Sequence, residues 1–287
     1  MAELVVLGTA QDGGVPHAGC LCVNCRAARA DHALRRLPAS IGVVDGDEWA
    51  LIDATSAFAE QMHRLWQRRT SSLNHQAERY PPPDTIVLTH AHTGHYTGLW
   101  QLDRSVLAAR RVRVLAPPLM VPFLAGNEPW ATMVAEGYIA IEPLPLAEPF
   151  NITNSLTIRA EIVPHRAEWP SETVALIVQG PTRSALYIPD IDRWDEWELD
   201  VVAAVSGVEI ALLDGTFWDR PTSPNVPHPP IIETMDRLQP IADAGRTQIA
   251  FTHLNHSNPA LIPGNAAAIE IMRRGFAVAV ESAVFEL

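Results

Sequence analysis

The chain is poor in cysteine, in basic residues and in long apolar runs. Only three cysteines occur in 287 residues, all within Cys20-Leu21-Cys22-Val23-Asn24-Cys25. An odd number packed this tightly makes a poor disulfide framework and suits a reducing compartment. Lys and Arg number 21 against 33 Asp and Glu, a formal net charge of −12. That balance argues against a nonspecific nucleic-acid or anionic-membrane binder. No apolar run approaches membrane-spanning length, and the opening Met-Ala-Glu-Leu-Val-Val-Leu-Gly lacks the basic segment and apolar core of a signal peptide. The expectation is a cytoplasmic protein with a small-molecule substrate and no membrane or nucleic-acid partner. A homodimer is compatible with this composition. No repeat, low-complexity tract or linker divides the chain, so a single domain over 1–287 is expected.

Against this background, Thr89-His-Ala-His-Thr-Gly-His95 stands out, directly after the apolar run Thr85-Ile-Val-Leu88. In extended backbone, positions i and i+2 point to the same side. His90 and His92 can therefore share one point as the strand runs out, and the turn through Gly94 can bring in His95. Three neutral imidazoles at a strand end suit a divalent transition ion.

Four more polar residues close apolar runs: His165, Asp190, Asp214 and His253. Each alone is as readily a turn former or a helix cap. Together with the triplet they supply the extra imidazoles and bridging carboxylate that a two-metal site requires. A second cluster, Cys20-x-Cys22-x-x-Cys25, places three thiolates close enough to wrap one zinc. His256 follows His253 by three residues and can face the cysteine loop as the fourth ligand if His253 turns into the rim. His17 is the rival fourth ligand, and a redox pair or ordinary thiols are the alternatives to zinc.

The patterning predicts strands over Glu3–Thr9, 40–44, 49–53, Arg113–Leu115, 156–163, 173–179, 184–188, 208–213, Thr247–Thr252 and around 276–286. It predicts helices over Ala57–Arg68, near 230–238 and near 264–273, helical material from the histidine motif to about 110, and an irregular helical insertion at Pro117–Gly137. Asp45-Gly46-Asp47 is a hairpin signal, and 69–83 reads as a loop. Strands followed by a helix, twice over, predict an α/β fold of two face-to-face sheets with helices outside and the site on one rim.

At this point the chain resembles the metallo-β-lactamase superfamily, whose signature is His-x-His-x-Asp-His followed by later His, Asp and His at strand ends. The resemblance spans nearly the whole chain and implies an αββα sandwich of two mixed sheets. It implies that His90, His92 and His165 hold one metal, that His95 and His253 hold a second, and that Asp190 bridges them. Asp53, closing Trp49-Ala-Leu-Ile52, falls where the superfamily has a carboxylate bracing the site. The signature Asp is Gly94 here. The resemblance therefore implies a second site short of one anionic ligand and weakly filled, which Gly94→Asp should tighten.

The segments Leu7–Pro16, Cys20–Cys25, Asp53–Ser56, Asp214–Trp218 and His253–Pro259 are similar to the pyrroloquinoline quinone biosynthesis protein B family. The cysteine cluster with His253-x-x-His256 also resembles the phosphonate-operon cyclic phosphodiesterase, which has such a zinc. The complete histidine triplet is unusual for the first family. These likenesses imply one structural zinc and one or two active-site ions, Zn, Mn or Fe. The leading expectation is a hydrolase using a metal-bound hydroxide on a small anionic or cyclic ester, phosphodiester or lactone-like. Asp190 would fix the water. His228 lies where related phosphodiesterases carry a proton donor, although its proline-rich flanks fit a loop histidine equally. Asp214 either binds a metal or braces the loop leading to His228. Trp169 and Trp218 are candidates for the pocket wall or the core, and His32, His63 and His75 for the surface. The alternatives are an iron-dependent oxygenase of a tyrosine-derived substrate in quinone-cofactor synthesis, and a noncatalytic carrier on the same fold.

Overall fold

The computed structural model describes residues 1–70, 78–166, 168–220 and 226–287. Its core is two seven-stranded mixed sheets. The first has the order β14 (Val284–Glu286), β1 (Ala2–Gly8), β2 (Ser40–Asp45), β3 (Glu48–Ile52), β4 (Thr85–Val87), β5 (Val112–Ala116), β6 (Ile139–Pro143). The second runs β13 (Ala277–Val278), β12 (Gln248–Thr252), β11 (Ile210–Asp214), β10 (Ser184–Ile188), β9 (Thr173–Gln179), β8 (Thr157–Val163), β7 (Phe150–Asn151). This is the expected αββα architecture.

Alternation along the strands builds three apolar layers. In β3, Ala50 and Ile52 face the layer between the sheets, while Trp49 and Leu51 face outward. In β11, Ile210 and Leu212 point inward, and Ala211 and Leu213 outward. Leu4, Val6, Ile158, Leu176 and Tyr187 share the middle layer, which joins the two sheets. Helix α2 (Phe58–Trp66) covers the outer face of the first sheet through Phe58, Met62 and Leu65, which fall at helical spacing. The second sheet is covered by α6 (Val201–Ser206), α7 (Ile231–Ala244) and α8 (Ala266–Arg273). Between α2 and α6 lie α3 (Thr93–Tyr96), α4 (Met120–Ala125) and α5 (Trp130–Ala135).

Several predicted elements differ in extent. The helix expected near 230–238 continues to Ala244 and carries Pro240 within it. Helical structure after the histidine motif stops at Leu102 rather than near 110. The strand expected around 276–286 is two short strands, one in each sheet, so the chain end crosses from one sheet to the other. Strands β6 and β7 and helix α1 (Val23–Ala30) lack a clear periodic signal and were not expected. The loop expected at 69–83, with its His75, falls partly outside the described residues. His63 is half-buried against Trp66 and Tyr80 instead of lying on the surface, whereas His32 is exposed.

The site owes its place to strand direction. Strands β3 to β6 are parallel, as are β10 to β12. Strand β8 pairs antiparallel with β9, which pairs antiparallel with β10, so β8 and β10 run the same way. The carboxyl ends of β3, β4, β8, β10, β11 and β12 each deliver a polar residue to one rim.

Candidate metal centre

Asp53 follows β3, and His90 and His92 follow β4, with His95 inside α3. His165 follows β8, Asp190 follows β10, Asp214 ends β11 and His253 follows β12. Asp53 and His253 adopt positive φ, 64° and 58°. For residues other than glycine this left-handed backbone costs free energy, and here it turns both side chains into the rim.

Around Asp190 the geometry is tight. Its Oδ2 lies 3.4 Å from His90 Nε2, 3.2 Å from His95 Nε2 and 3.1 Å from His253 Nε2. Its Oδ1 lies 3.8 Å from His165 Nε2. His165 Nε2 and His92 Nδ1 are 3.3 Å apart, close to the roughly 3.3 Å between two nitrogens on one tetrahedral zinc. The ligand atoms of His90, His92 and His165 lie within 4.8 Å of one another, as do those of His90, His95 and Asp190. Among the described residues, His90 Nε2, His95 Nε2, His253 Nε2 and Asp190 Oδ2 are buried without a hydrogen-bond partner. Buried polar atoms are normally paired. Four orphaned atoms aimed at one point, three imidazoles and a carboxylate, fit divalent cations.

Outer partners set four of the rings. Asp53 Oδ2 accepts from His95 Nδ1 at 2.8 Å. Thr89 Oγ1 donates to Asp53 and lies 3.0 Å from His90 Nδ1, so it accepts the His90 proton. Thr216 Oγ1 lies 3.1 Å from His253 Nδ1, and Asp192 Oδ1 lies 2.7 Å from His165 Nδ1. These partners hold the proton on the outer nitrogen and point the Nε2 lone pair inward. Exposed Glu168 reaches His92 Nε2 at 2.6 Å without the alignment of a hydrogen bond.

Protonation follows the same plan. Burial pushes the pKa of His90 well below its ordinary value and lowers His253 and His92. Neutral imidazole is the form that binds a metal. Burial opposes charge on His95 too, but the Asp53 and Asp190 carboxylates outweigh it and hold His95 well above the usual range, so a bound cation would have to displace the Nε2 proton to reach the neutral ring. For Asp190, burial favours the neutral acid, yet His253, His95, His165 and His90 overcome it and keep the carboxyl well below the usual range.

His228 enters the same rim. Its Nδ1 lies 2.7 Å from Asp214 Oδ2 and 3.8 Å from Asp190 Oδ1, while its Nε2 is buried without a partner among the described residues. Asp214 also accepts from the Ile191 and Thr216 amides, so it braces His228, and its ligand atom groups with those of Asp190 and His228 within 4.8 Å. Burial opposes protonation of His228, but Asp214 outweighs it and raises the pKa. Trp169 is half-exposed, stacks on Phe123 and borders the opening beside His92 and Glu168. Trp218 packs instead against the outer core of the second sheet.

The cysteine cluster forms a separate group. Cys20 Sγ and Cys22 Sγ lie 3.4 and 3.6 Å from His256 Nδ1, and all four ligand atoms, Cys25 included, lie within 4.8 Å of one another. Sulfur and nitrogen on one tetrahedral zinc stand about 3.5 Å apart. His17 packs its ring against His256, with centroids 4.6 Å apart, and is not part of this group. Burial pushes the Cys25 thiol up to about 11, a tendency that a bound cation reverses.

Two neighbours of the rim escaped the sequence reading. Asp192 orients His165, and its position two residues past Asp190 was the available signal. Asp12, in the loop after β1, places Oδ1 3.6 Å from His95 Nε2 and groups with His95 and His253. Nothing local connects residue 12 with residue 95.

Residues 48–254 match the Beta-lactamase superfamily domain. The chain belongs to the beta-lactamase superfamily. Among curated relatives, the Coenzyme PQQ synthesis protein B of Ruegeria pomeroyi is 27% identical over 300 residues, covering 96% of this chain and 97% of the relative. Its namesake from Methylorubrum extorquens is 25% identical, covering 99% of this chain and 100% of the relative. Among solved structures, zinc-bound PqqB from Methylobacterium extorquens superposes with a TM-score of 0.82 at 24% identity, covering 99% and 100% of the two chains. A diphosphatase of the PhnP family superposes with a TM-score of 0.66 at 22% identity, covering 99% and 96%. Both likenesses show the metallo-β-lactamase fold. Among the described residues, no helix is long and apolar enough to cross a membrane.

Proposed function

We propose that this protein is a metal-dependent hydrolase of a small anionic or cyclic ester, phosphodiester or lactone-like. The carrying observation is the convergence of unpartnered nitrogens from His90, His95 and His253 on Asp190 Oδ2, each ring locked from outside. In this reading His90, His92 and His165 hold one divalent ion, and His95 and His253 a second, with Asp190 between them. Such ions lower the pKa of bound water toward neutrality and polarise the ester oxygen.

The remaining chemistry belongs to the chain. Asp190 carries a carboxylate in a buried site and orients the attacking water. The Asp214 contact holds the Nδ1 proton of His228 and favours the charged ring, which donates its other proton, on Nε2, to the departing oxygen, a role worth about 100- to 10,000-fold in rate. A cleft of about 600 Å³ opens beside His228 and offers room for a small substrate, its Arg193, Arg220 and Arg237 balanced by Asp192, Asp195 and Glu233. The cysteine group with His256 holds a structural zinc.

The test is hydrolysis of bis-p-nitrophenyl phosphate by the zinc- or manganese-loaded protein and by His92→Ala. Turnover should fall at least about 100-fold in the variant with an unchanged circular dichroism spectrum. An unchanged rate would remove His92 from the reaction. His228→Ala should slow esters with poor leaving groups far more than p-nitrophenyl esters, because only the former need the proton. Equal losses would contradict the proton-donor role.

The relatives named for coenzyme PQQ synthesis support a link to quinone-cofactor synthesis, and the second reading is an oxygenase in that synthesis. His90 and His92 with the Asp190 carboxylate also suit ferrous iron. Iron in the purified protein and oxygen uptake with a tyrosine-derived peptide would select this reading. An empty rim beside a filled cysteine site would select a noncatalytic carrier.

A further inference from the structure

Gly94 leaves a gap beside the rim, and the structure fills it from elsewhere. A Cβ built on Gly94 would fall on Asp12 Oδ1 and come within 2.5 Å of Asp12 Cα. The room created by the missing side chain is therefore occupied by a carboxylate 82 positions earlier in the sequence. Asp12 Oδ1 is buried, has no hydrogen-bond partner among the described residues and faces His95 Nε2 at 3.6 Å. Its ligand atom and those of His95 and His253 lie within 4.8 Å of one another.

The loop carrying Asp12 is fixed to the segment that carries His253. Leu254 N donates to Thr9 O at 2.9 Å, and Gln11 N donates to Leu254 O at 3.0 Å. The Asn255 side chain donates from Nδ2 to Gln11 Oε1. Gly14, at a φ of 69°, closes a turn by donating to Gln11 O at 2.8 Å. A carboxylate held this way is presented to the rim.

We propose that Asp12 is a carboxylate ligand of the ion held by His95 and His253, delivered from the N-terminal loop into the space that Gly94 leaves open. The proposal rests on the two-ion reading of the rim. Two neutral imidazoles and a shared Asp190 would give that ion little negative charge of its own, and Asp12 supplies it. Gly94→Asp, expected from sequence to strengthen the second site, would instead collide with the Asp12 backbone.

Zinc titration calorimetry with metal analysis tests this on the full chain, using wild type, Asp12→Asn, Asp12→Ala, Gly94→Ala and His95→Ala. Wild type should take up two rim ions besides the one at the cysteines. Asp12→Asn, which keeps the side-chain shape, and Asp12→Ala should weaken the second rim ion at least about 10-fold and leave the first unchanged. Gly94→Ala should reproduce that loss by displacing Asp12, although it alters no ligand. If His95→Ala loses one rim ion while both Asp12 variants bind both with wild-type affinity, the Asp12 assignment is wrong and the two-ion reading stands. If wild type takes up only one rim ion and His95→Ala is indistinguishable from it, the two-ion reading fails and the assignment falls with it.

Discussion

Asp53 shows how much one residue does at this rim. Its backbone sits at positive φ, its carboxylate is fully buried, and it accepts from the Thr89 amide, the Thr89 hydroxyl and the His95 ring. It thereby orients His95 directly and His90 through Thr89. Asp53→Ala should lower metal affinity about 10- to 100-fold without removing a ligand, measured by competition with a chromophoric chelator. Wild-type affinity in that variant would show that the orientation of these rings does not matter. The histidine triplet was legible because its i, i+2 spacing is a backbone property that any strand end imposes. Asp53, Asp190 and His253 were legible as polar residues closing apolar runs. Asp12 was not, because its proximity to His95 is set by the packing of the β1 loop on Leu254, a tertiary fact with no periodic trace. The role of Asp214 was open in the sequence; in the structure it accepts from His228 and two amides, and its ligand atom also groups with those of Asp190 and His228.

Among the elements, the segment 20–30 carries the clearest division of labour. Helix α1 begins just after Cys22 and has few apolar residues to bury, only Cys25 and Ala28 among its hydrophobic side chains. Such a helix gains little from the hydrophobic effect, which is also why its periodicity was not visible in the sequence. The Asn24 side chain donates to the His256 and Asn258 carbonyls, and the sulfur atoms meet His256. A zinc there would tie α1 to the segment after β12. Cys22→Ser should remove one zinc equivalent and lower the melting temperature by several degrees, read by metal analysis and thermal unfolding. An unaltered melting curve with full metal content would contradict a structural zinc. Strands that are continuous buried apolar runs, such as β2, β3 and β11, lay close to their expected bounds. The short edge strands did not, since two or three residues carry no period and are defined by their partners.

On the scale of the whole molecule, two sheets contribute to one site. The first supplies Asp53, His90, His92 and His95, and the second supplies His165, Asp190, Asp214 and His253. Ions at the rim would thus bridge the sheets across the middle layer, adding binding free energy to the folded state alone. Removal of metal should therefore destabilise the whole fold as well as end the proposed hydrolysis. The paired prediction is that chelation lowers the melting temperature of wild type more than that of His92→Ala. Equal shifts would mean that the rim ions do not couple to folding. The most direct measurement is anomalous scattering at the zinc edge from crystals of the zinc-loaded protein. Three peaks are expected, one among Cys20, Cys22, Cys25 and His256, and two flanking Asp190 at the ends of β4 and β12. A rim without any peak, beside an occupied cysteine site, would contradict the proposed metal centre.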